Sequence, residues 1–305
     1  MAKLEIHFGD NLEVLKRIPD GSVSLVYIDP PYNTGKIMHR HEISIERRGE
    51  GHLGFEDRRY ASVRVGTKSF SDIFHQDEHL LFLERRLLEA KRILADDGSL
   101  FLHMGVSESH YCKVLLDQLF GRSSFMNEIV WAWDYGARTK RRWPAKHDVI
   151  FWYAKDPERY VFDLDACDRL PYLSPHLVGS EKAERGKTPT DAWWHTIVSP
   201  QSKEKTGYPS QKPLGILERI VKVHSRPGDM LCDFFAGSGS FGEAATRNGR
   251  DCILVDNNRQ ALEVMQERFK GHSDIAWRDW DAGSDASGAS SDSSAARLRA
   301  WQAEA

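Results

Sequence analysis

The chain has 305 residues, of which 40% are hydrophobic and 29% charged, and its formal net charge is -3 at pH 7. It is long enough for one large domain with a buried core, and its charge excludes a global basic field, so nucleic-acid binding would require local patches. The four cysteines form no CxxC pair, which argues against zinc and a disulfide framework. No apolar stretch is long enough for a signal peptide or a membrane span, so we expect a cytoplasmic protein without a metal.

The amino-terminal region predicts a parallel βαβ unit. Residues 4 to 8 alternate like a strand, residues 12 to 16 form a short helix, and residues 24 to 28 form a second strand. An acid follows each strand, Asp10 after the first and Asp29 after the second. Ligands gather at the carboxyl ends of parallel strands, so we expect both acids to lie near a binding site.

The stretch Asp29-Pro30-Pro31-Tyr32 stops the second strand and offers candidate chemistry. Proline fixes φ, lacks an N–H and pushes the preceding residue out of the helical region, which leaves a rigid edge of acceptors. The Asp29 carboxylate and the Pro30 carbonyl can accept two hydrogens from one amino group, and Tyr32 offers a face for stacking. These residues predict a site for a nucleobase amine. The alternative is a strand-terminating turn with an incidental aspartate.

Residues 36–72 interrupt this pattern, because they hold many charges, several glycines and little periodicity. We expect a mobile loop there. Loops of this length inside compact domains tend to be functional or disordered. The position directly after the candidate site favours a lid or a DNA clamp, and the alternative is a solvated insertion.

The next segment predicts a regular alternation of helices and strands. Apolar residues recur at helical spacing from 77 to 94, and a second helix is expected from 108 to 120. Strands are expected at 99–103, 128–131 and 149–153. This order argues for a mostly parallel sheet covered by helices.

A basic run lies at residues 135–147, between the last two of these strands. Its five cations surround Trp143 and would offer DNA phosphates both charge and a stacking surface. They are Arg138, Lys140, Arg141, Arg142 and Lys146. We expect this run to bind DNA, because it connects two strands of one sheet. The alternative is a solvated charged face.

Residues 156–206 lose the alternation and carry prolines, glycines and aromatic residues, which favours a small target-recognition segment. A helix is expected from Leu214 to His224. The tail, residues 281–305, is rich in Ser, Ala and Asp and is expected to be disordered. The chain is thus expected to divide into residues 1–155, the recognition segment, residues 207–280 and the tail.

A second dense motif begins with a strand at Met230–Asp233 and continues through a turn into a helix. The turn is Phe234-Phe235-Ala236-Gly237-Ser238-Gly239-Ser240. Its small residues would let the backbone approach a ligand closely, as in nucleotide-binding strand-turn-helix units. The next strand ends in Asp256, and an acid there suits ribose hydroxyls. A lone G-x-G is weak evidence, whereas the complete order of strand, glycine loop, helix, strand and acid strengthens it.

Taken together, these motifs resemble the amino-group DNA methyltransferases, specifically the permuted beta class, in which the catalytic motif precedes the cofactor motif. DPPYNTG at 29–35 looks like the catalytic motif of this family, and DFFAGSGS at 233–240 looks like its S-adenosylmethionine loop. YPSQKP at 208–213 is similar to the HPTQKP-like segment of the family, with Tyr208 and Ser210 as departures. The resemblance spans residues 3 to 272 apart from the 36–72 segment.

The resemblance implies a Rossmann-like α/β fold of S-adenosylmethionine-dependent methyltransferases: a mostly parallel sheet, helices on both faces and a small target-recognition insertion. It implies S-adenosylmethionine as the cofactor. The implied cofactor-binding residues are Asp10, Lys212, Asp233, Phe234, Phe235, Ala236, Gly237, Ser238, Gly239 and Asp256. Asp256 would hold the ribose, Asp10 the adenine amino group and Lys212 the carboxylate. Gly237 and Gly239 would let the loop pass the methionine part, and the strand before Asp10 would neighbour that of Asp256.

The implied reaction methylates the exocyclic amine of a flipped base in double-stranded DNA, with Asp29, Pro30, Pro31 and Tyr32 as the catalytic residues. Aspartate at position 29 favours N6 of adenine, because cytosine-N4 members of the family more often carry serine there. Open alternatives are a cytosine-N4 enzyme, an RNA substrate and a catalytically idle binding relative. The resemblance also allows a cognate restriction endonuclease or a second copy of the chain as a partner. It implies no interaction with a membrane.

Overall fold

The computed structural model describes residues 2–32, 36–53, 59–72, 76–136, 138–199 and 201–280, with the backbone alone for 36–53, 59–72 and 76–77. The strands are β1 Leu4–Phe8, β2 Val23–Ile28, β3 Lys36–Leu53, β4 Arg59–Asp72, β5 Leu94–Met104, β6 Phe125–Ala132, β7 His147–Ala154, β8 Ala192–Trp194, β9 Met230–Asp233, β10 Asp251–Asp256 and β11 Ile275–Asp279. The helices are α1 Asn11–Leu15, α2 Gln76–Ile93, α3 Ser109–Phe120, α4 Ser180–Arg185, α5 Leu214–His224, α6 Ser240–Arg247 and α7 Arg259–Arg268.

Within the described residues, nine strands form one sheet in the order β11-β1-β10-β9-β2-β5-β7-β6-β8. Strand β7 runs antiparallel to both its neighbours, β5 and β6. The other pairings are parallel. The prediction of a mostly parallel sheet is confirmed.

Helices cover both faces of this sheet. Successive residues of a strand point to opposite sides, so a buried strand contributes to the core on each face. Leu25 and Tyr27 of β2 join the core beneath α5, α6 and α7. Val26 and Ile28 join the core beneath α1, α2 and α3. This arrangement explains why residues 25–28 of β2 form a continuous apolar run, as expected for a parallel strand that is buried on both faces.

Strand β1, the first in the chain, lies in the sheet between β10 and β11, the last two strands. β1 pairs with β10 on one side and with β11 on the other, and Phe8 stands opposite Asp256. Asp10 and Asp256 therefore follow neighbouring strands, as expected. The predicted βαβ unit needs one correction, because β10 and β9 lie between β1 and β2. Apolar periodicity identifies a strand but not its neighbours in the sheet.

The prediction of a loop at 36–72 is wrong. The backbone of β3 and β4 forms a separate two-stranded antiparallel sheet. Short alternating runs in the sequence, Ile43-Ser44-Ile45 and Val63-Arg64-Val65, are typical of strands, but the many charges around them hide this signal. A role for this hairpin as a lid or a DNA clamp stays a prediction.

The region from 156 to 206 contributes little regular structure and extends the main sheet at its edge. It contains the short helix α4 and the three-residue strand β8, which pairs in parallel with β6. Its use in target recognition stays a prediction, as do the domain limits. The predicted disordered tail, 281–305, lies outside the described residues, as do residues 33–35 of the catalytic motif.

Candidate active site

A cavity of about 570 Å³ lies at the carboxyl edge of the sheet, where β2, β9 and β10 end. Both sequence motifs line it, although they are about 200 residues apart in the chain. The predicted residues in its lining are Asp29, Pro30, Pro31, Tyr32, Lys212, Asp233, Phe234, Phe235, Ala236, Gly237, Ser238 and Asp256. The fold thus brings the candidate catalytic and cofactor residues into one site.

The two oxygens of the Asp29 carboxylate differ in their partners among the described residues. Lys212 donates from Nζ to Oδ2 of Asp29, and the same Nζ lies 3.2 Å from the carbonyl oxygen of Ser210. The other oxygen, Oδ1, is buried and accepts no hydrogen bond of normal length and angle from a described residue. The Tyr32 hydroxyl lies near the Asp29 carboxylate, which adds to the effect of burial in raising the pKa of Tyr32. Buried acceptors are nearly always satisfied, so Oδ1 is a candidate acceptor for a ligand hydrogen. Lys212 was expected to reach a cofactor carboxylate, and in the structure it neutralises Asp29.

The ring of Tyr32 lies against the backbone at Gly105. A Cβ atom at Gly105 would come within 2.7 Å of Tyr32 Cδ2, so the close approach requires glycine. The ring centroid lies 5.3 Å from Lys212 Nζ. The Tyr32 hydroxyl lies 3.5 Å from Oδ2 of Asp148, a residue of β7. Contacts from three separate segments thus orient the candidate stacking face.

A buried polar chain lies beneath Tyr32. The hydroxyl of Tyr27 lies 2.7 Å from Nδ1 of His103, whose Nε2 lies 3.3 Å from Asp148 Oδ2. Burial raises the pKa of Tyr27 well above its ordinary value, so this hydroxyl stays protonated and donates. Burial opposes the ionisation of Asp148, but the hydrogen bond from His103 and the nearby positive charge of Lys212 outweigh it and lower its pKa. Asp148 therefore stays an anionic acceptor beside the catalytic motif.

The glycine loop is tied to the acid that ends β10. Gly237, with a φ of 51°, donates its backbone N–H to Asp256 Oδ2 at 2.7 Å, and Asn258 donates to Oδ1 at 2.8 Å. Burial raises the pKa of Asp256 to about 6, although these backbone donors oppose the shift. A Cβ atom at Gly237 would lie 3.1 Å from Tyr208 Cε1, which shows how closely the YPSQKP segment approaches the loop.

Asp233 lies at the end of β9, behind the loop. The residue is 3% exposed, and its Oδ1 accepts the backbone N–H of Phe235 at 2.9 Å. Burial raises its pKa well above the ordinary value, and the charges of Asp29 and Asp256 add to this effect. The hydrogen bond to Phe235 indicates that Asp233 shapes the turn.

The structure does not bring Asp10 or Gly239 into the lining of the cavity. Asp10 caps α1 by accepting the Leu12 N–H at 2.8 Å, and its other oxygen accepts from Arg86 at 3.1 Å. Gly239 has a φ of 74° and packs against α7, where a Cβ atom would come within 2.9 Å of Met265 and Phe269. Asp10 thus contacts the lining residue Arg86, and Gly239 follows the lining residue Ser238.

Several lining residues were not identified from the sequence. The main ones are Asn11, Tyr27, Phe82, Arg86, Tyr208, Gln211 and Asn258. Asn11 joins the glycine loop through Nδ2, which donates to the Phe234 carbonyl at 2.7 Å. The neighbouring motifs GDN and YPSQKP could have indicated Asn11, Tyr208 and Gln211, whereas Phe82 and Arg86 look like ordinary residues of an amphipathic helix.

The basic run forms the connection between β6 and β7, at the same sheet edge as the cavity but outside its lining. Arg138, Lys140, Arg141 and Arg142 are exposed, and Trp143 is 94% exposed. Lys146 is half-buried and donates to the Asp134 carbonyl. An exposed tryptophan among cations is available for contact with a large polyanion.

Within the part of the chain that the structure describes, no helix is both long and apolar enough to cross a bilayer. The same residues contain no group of three or more His, Cys, Asp or Glu side chains arranged to hold a metal ion.

The chain is similar in sequence to known methyltransferases. Residues 23–267 match a family model described as DNA methylase (N6_N4_Mtase). The Type II methyltransferase M.HpaI of Haemophilus parainfluenzae is 27% identical over 258 residues, 85% of this chain and 71% of that protein. The DNA adenine methyltransferase YhdJ of Escherichia coli K12 is 27% identical over 281 residues, 88% of this chain and 83% of that protein.

Solved structures show the same fold. The crystal structure of an M1.HpyAVI–SAM complex superposes with a TM-score of 0.56 at 18% identity, covering 87% of this chain and 98% of that one. The PvuII DNA methyltransferase, described as cytosine-N4-specific, superposes with a TM-score of 0.58 at 15% identity, covering 90% and 95%. Since the family model covers most of the chain and the two motifs meet in one cavity, this chain belongs to the N6_N4_Mtase family of DNA methylases.

Proposed function

We propose that this chain is a permuted, beta-class methyltransferase that uses S-adenosylmethionine to methylate N6 of adenine in double-stranded DNA. The observation that carries the proposal is the shared cavity, in which the unpaired, buried Oδ1 of Asp29 and the glycine loop at Gly237 line one space. Membership in the DNA methylase family supports the reaction class. The similarity to a DNA adenine methyltransferase supports the target base.

The residues at the ends of β9 and β10 suit this cofactor. Asp256 keeps lone pairs for ribose hydroxyls after accepting two backbone hydrogen bonds, and Gly237 leaves the loop without a side chain. Lys212 would attract the carboxylate, and the Asp10-Asn11 turn would hold the adenine end, with Asn11 lining the cavity. When bound, S-adenosylmethionine supplies an activated methyl group, so the protein needs no covalent nucleophile.

Asp29 and Pro30 would act on the target amine. The free Oδ1 of Asp29 and the Pro30 carbonyl are acceptors that would take the two amino hydrogens and orient the nitrogen lone pair. The target base must leave the duplex, at a cost of a few kcal/mol. Stacking on Tyr32, at about 1 to 3 kcal/mol, would offset part of this cost.

The exposed basic run supplies the surface for the DNA backbone. Arg138, Lys140, Arg141 and Arg142 face solvent at the sheet edge that holds the cavity. Lys146 would contribute charge from the base of the same connection. The flanking Trp143 would add a stacking surface, as is common where proteins hold unpaired nucleotides.

The second candidate is cytosine-N4 methylation, because cytosine presents an equivalent amine to the same acceptors. The PvuII enzyme, described as cytosine-N4-specific, has the same fold. Aspartate at position 29 favours adenine, since serine is commoner there in the cytosine-N4 members that the motif resembles. A catalytically idle relative is disfavoured because both motifs are intact and lie together.

Nucleoside analysis of methylated DNA tests the proposal directly. The chain is incubated with unmethylated genomic DNA and isotopically labelled S-adenosylmethionine, and the digested nucleosides are separated by mass spectrometry. We expect labelled N6-methyladenine, and single-molecule sequencing of the same DNA would give its sequence context. Labelled N4-methylcytosine would establish the second candidate, and cofactor binding without any labelled base would indicate an idle relative.

A further inference from the structure

Helix α2 presents a row of side chains to the active site. His79, Phe82 and Arg86 are spaced three and four residues apart, so they lie along one face of the helix. His79 is 0% and Arg86 6% exposed. Phe82 and Arg86 line the cavity. A buried imidazole and a buried guanidinium beside an active site are stable only with specific polar partners.

The partner of His79 is the catalytic motif. Its Nε2 lies 2.9 Å from the carbonyl oxygen of Pro31, which can only accept, so Nε2 carries the hydrogen and donates. On the other side of the ring, Nδ1 lies 3.7 Å from Oε2 of Glu108, which is itself buried. The Pro31 carbonyl belongs to the peptide that joins Pro31 to Tyr32. The direction of this carbonyl therefore sets the orientation of that peptide, and with it the position from which the Tyr32 side chain extends.

The partners of Arg86 belong to the cofactor half. Its Nε donates to Asn11 Oδ1 at 2.5 Å, and its Nη2 donates to Asp10 Oδ2 at 3.1 Å. Asn11 in turn donates to the Phe234 carbonyl in the glycine loop at 2.7 Å. Two successive hydrogen bonds thus connect α2 to the turn that would hold the cofactor.

Phe82 fills the space between these two contacts. Its ring centroid lies 5.9 Å from that of Phe235 in the glycine loop. The Arg86 guanidinium carbon lies 3.6 Å from the Phe82 ring centroid. The stacking holds the guanidinium plane in the direction that Asn11 and Asp10 require.

We propose that His79 and Arg86 are positioning residues that hold the two halves of the active site on one helix. His79 fixes the Pro31–Tyr32 peptide, and Arg86 fixes the glycine loop through Asn11. Both residues would act through these contacts and not on the reacting atoms themselves. The inference rests on the proposed function, because it assigns the two halves to the target base and to the cofactor. Sites of this kind need their groups held to within about 0.5 Å, which long surface loops alone do not provide.

The proposed role of His79 is tested by measuring the rate of methyl transfer and the dissociation constant of S-adenosylmethionine separately. His79→Leu removes the donor, whereas His79→Gln places an amide N–H at a similar distance along the side chain. We expect His79→Leu to slow single-turnover methyl transfer to unmethylated genomic DNA by about tenfold, the usual effect of losing one buried hydrogen bond. The dissociation constant of S-adenosylmethionine should stay within about twofold, and His79→Gln should recover most of the rate.

The proposed role of Arg86 predicts the opposite result, a change in cofactor affinity with little change in rate. Arg86→Ala should weaken S-adenosylmethionine binding by about tenfold, measured calorimetrically without DNA, and leave the rate at saturating cofactor within about threefold. The matched control is Arg85→Ala, since Arg85 is an exposed arginine on the same helix. It should change neither constant.

The outcomes are distinct. Equal rates for His79→Leu and His79→Gln, or a loss of rate rather than affinity in Arg86→Ala, would overturn the inference. A general loss of packing would change both constants in both variants and would also overturn it. A wild-type chain that binds the cofactor but transfers no methyl group would refute the proposed function, while the Arg86 and Arg85 dissociation constants would still decide the cofactor half of the inference.

Discussion

The backbone N–H of Gly237 donates to Asp256 Oδ2 at 2.7 Å, so the glycine loop is fixed by the same carboxylate that would hold the cofactor ribose. Burial raises the pKa of Asp256 to about 6. In the folded protein this group is therefore charged only above about pH 6, whereas an unfolded aspartate ionises near about 3.9. Two properties of the protein should depend on this difference.

The first prediction is that S-adenosylmethionine binds more tightly as the pH rises from 5 to 7 and then levels off, because the ionised carboxylate is the better acceptor for ribose hydroxyls. Asp256→Asn should bind weakly, with no slope in this range. Calorimetric titration across the pH range measures both. A slope that persists in Asp256→Asn would assign the titration to another carboxyl, such as Asp233.

The sign is opposite for the stability of the protein without cofactor. Between about pH 4 and 6 the folded state holds a proton on Asp256 that the unfolded state has lost, so the free energy of unfolding should fall as the pH rises through this window. Above the folded pKa this contribution is constant. Asp256→Asn should lack this fall, so the change in free energy of unfolding from pH 4.5 to 7.5, measured with urea, should be more positive in the variant than in wild type.

A second prediction concerns the unpaired oxygen of Asp29. Asp29→Ala should lower single-turnover methylation by roughly 100-fold or more, the size of effect seen when an oriented electrostatic contact to the reacting group is removed. Cofactor and duplex DNA should still bind, because the glycine loop and the basic run lie on other elements. Asp96→Ala is the control, since the side chain of Asp96 is 74% exposed and lies outside both the cavity lining and the segment 156–206. Substantial activity without a carboxylate at position 29 would rule out the proposed mechanism.

A third prediction separates stacking from chemistry. Tyr32→Ala should slow methylation because the flipped base loses its stacking partner, and a mismatch at the target, which makes extrusion easier, should restore part of the rate. Asp29→Ala should show no such recovery. Single-turnover rates of both variants on matched and mismatched duplexes decide the point, once the recognition sequence is known. Recovery of Asp29→Ala by the mismatch would mean that its defect is extrusion.

A fourth prediction uses the glycine beneath Tyr32. Gly105→Ala would place a Cβ atom 2.7 Å from Tyr32 Cδ2, so the ring must shift. We expect a slower methyl transfer with unchanged cofactor affinity, and a loss of stability of about 1 to 3 kcal/mol from overpacking. Gly271→Ala is the control, since nothing lies within 4 Å of its Cβ position and it lies outside the segment 156–206. Unchanged methylation by Gly105→Ala would show that the exact ring position is unimportant.

A fifth prediction tests the basic run. Replacing Arg141 and Arg142 with Ala should weaken binding to all duplexes alike and flatten the dependence of log K on log salt by about one unit per lost phosphate contact. Arg122→Ala, whose side chain is 91% exposed on another segment, should have no such effect. An unchanged salt slope in the double variant would identify the run as a solvated surface.

Local sequence patterns predicted the main elements and both motifs. The strand before Asp29 and the strand, glycine loop and acid from Met230 to Asp256 are signals within a few tens of residues, and their folded positions agree. The order of the strands in the sheet could not be predicted from these local patterns, because β10 and β9, which come late in the chain, lie between β1 and β2. The hairpin was missed because charge outweighed two short alternating runs.

Supporting residues could not be predicted, because their roles depend on contacts between distant parts of the chain. His79 and Arg86 lie on a helix with ordinary apolar spacing, and their partners lie 48 and 75 residues away. The pairing of Lys212 with Asp29 spans 183 residues. The motif resemblance assigns Lys212 to the carboxylate of the cofactor, and it gives no indication that Lys212 also pairs with the carboxylate of Asp29.

The position of β1 between β10 and β11 has a consequence for synthesis on the ribosome. Leu4 pairs with Cys252 and with Ile275, so β1 has neither of its neighbours until almost all of the described chain has been made. At 5–20 residues per second this wait is on the order of 10 to 50 s. During that time an apolar strand with two open edges is exposed to aggregation. We therefore expect chaperones that bind nascent chains to improve the soluble yield.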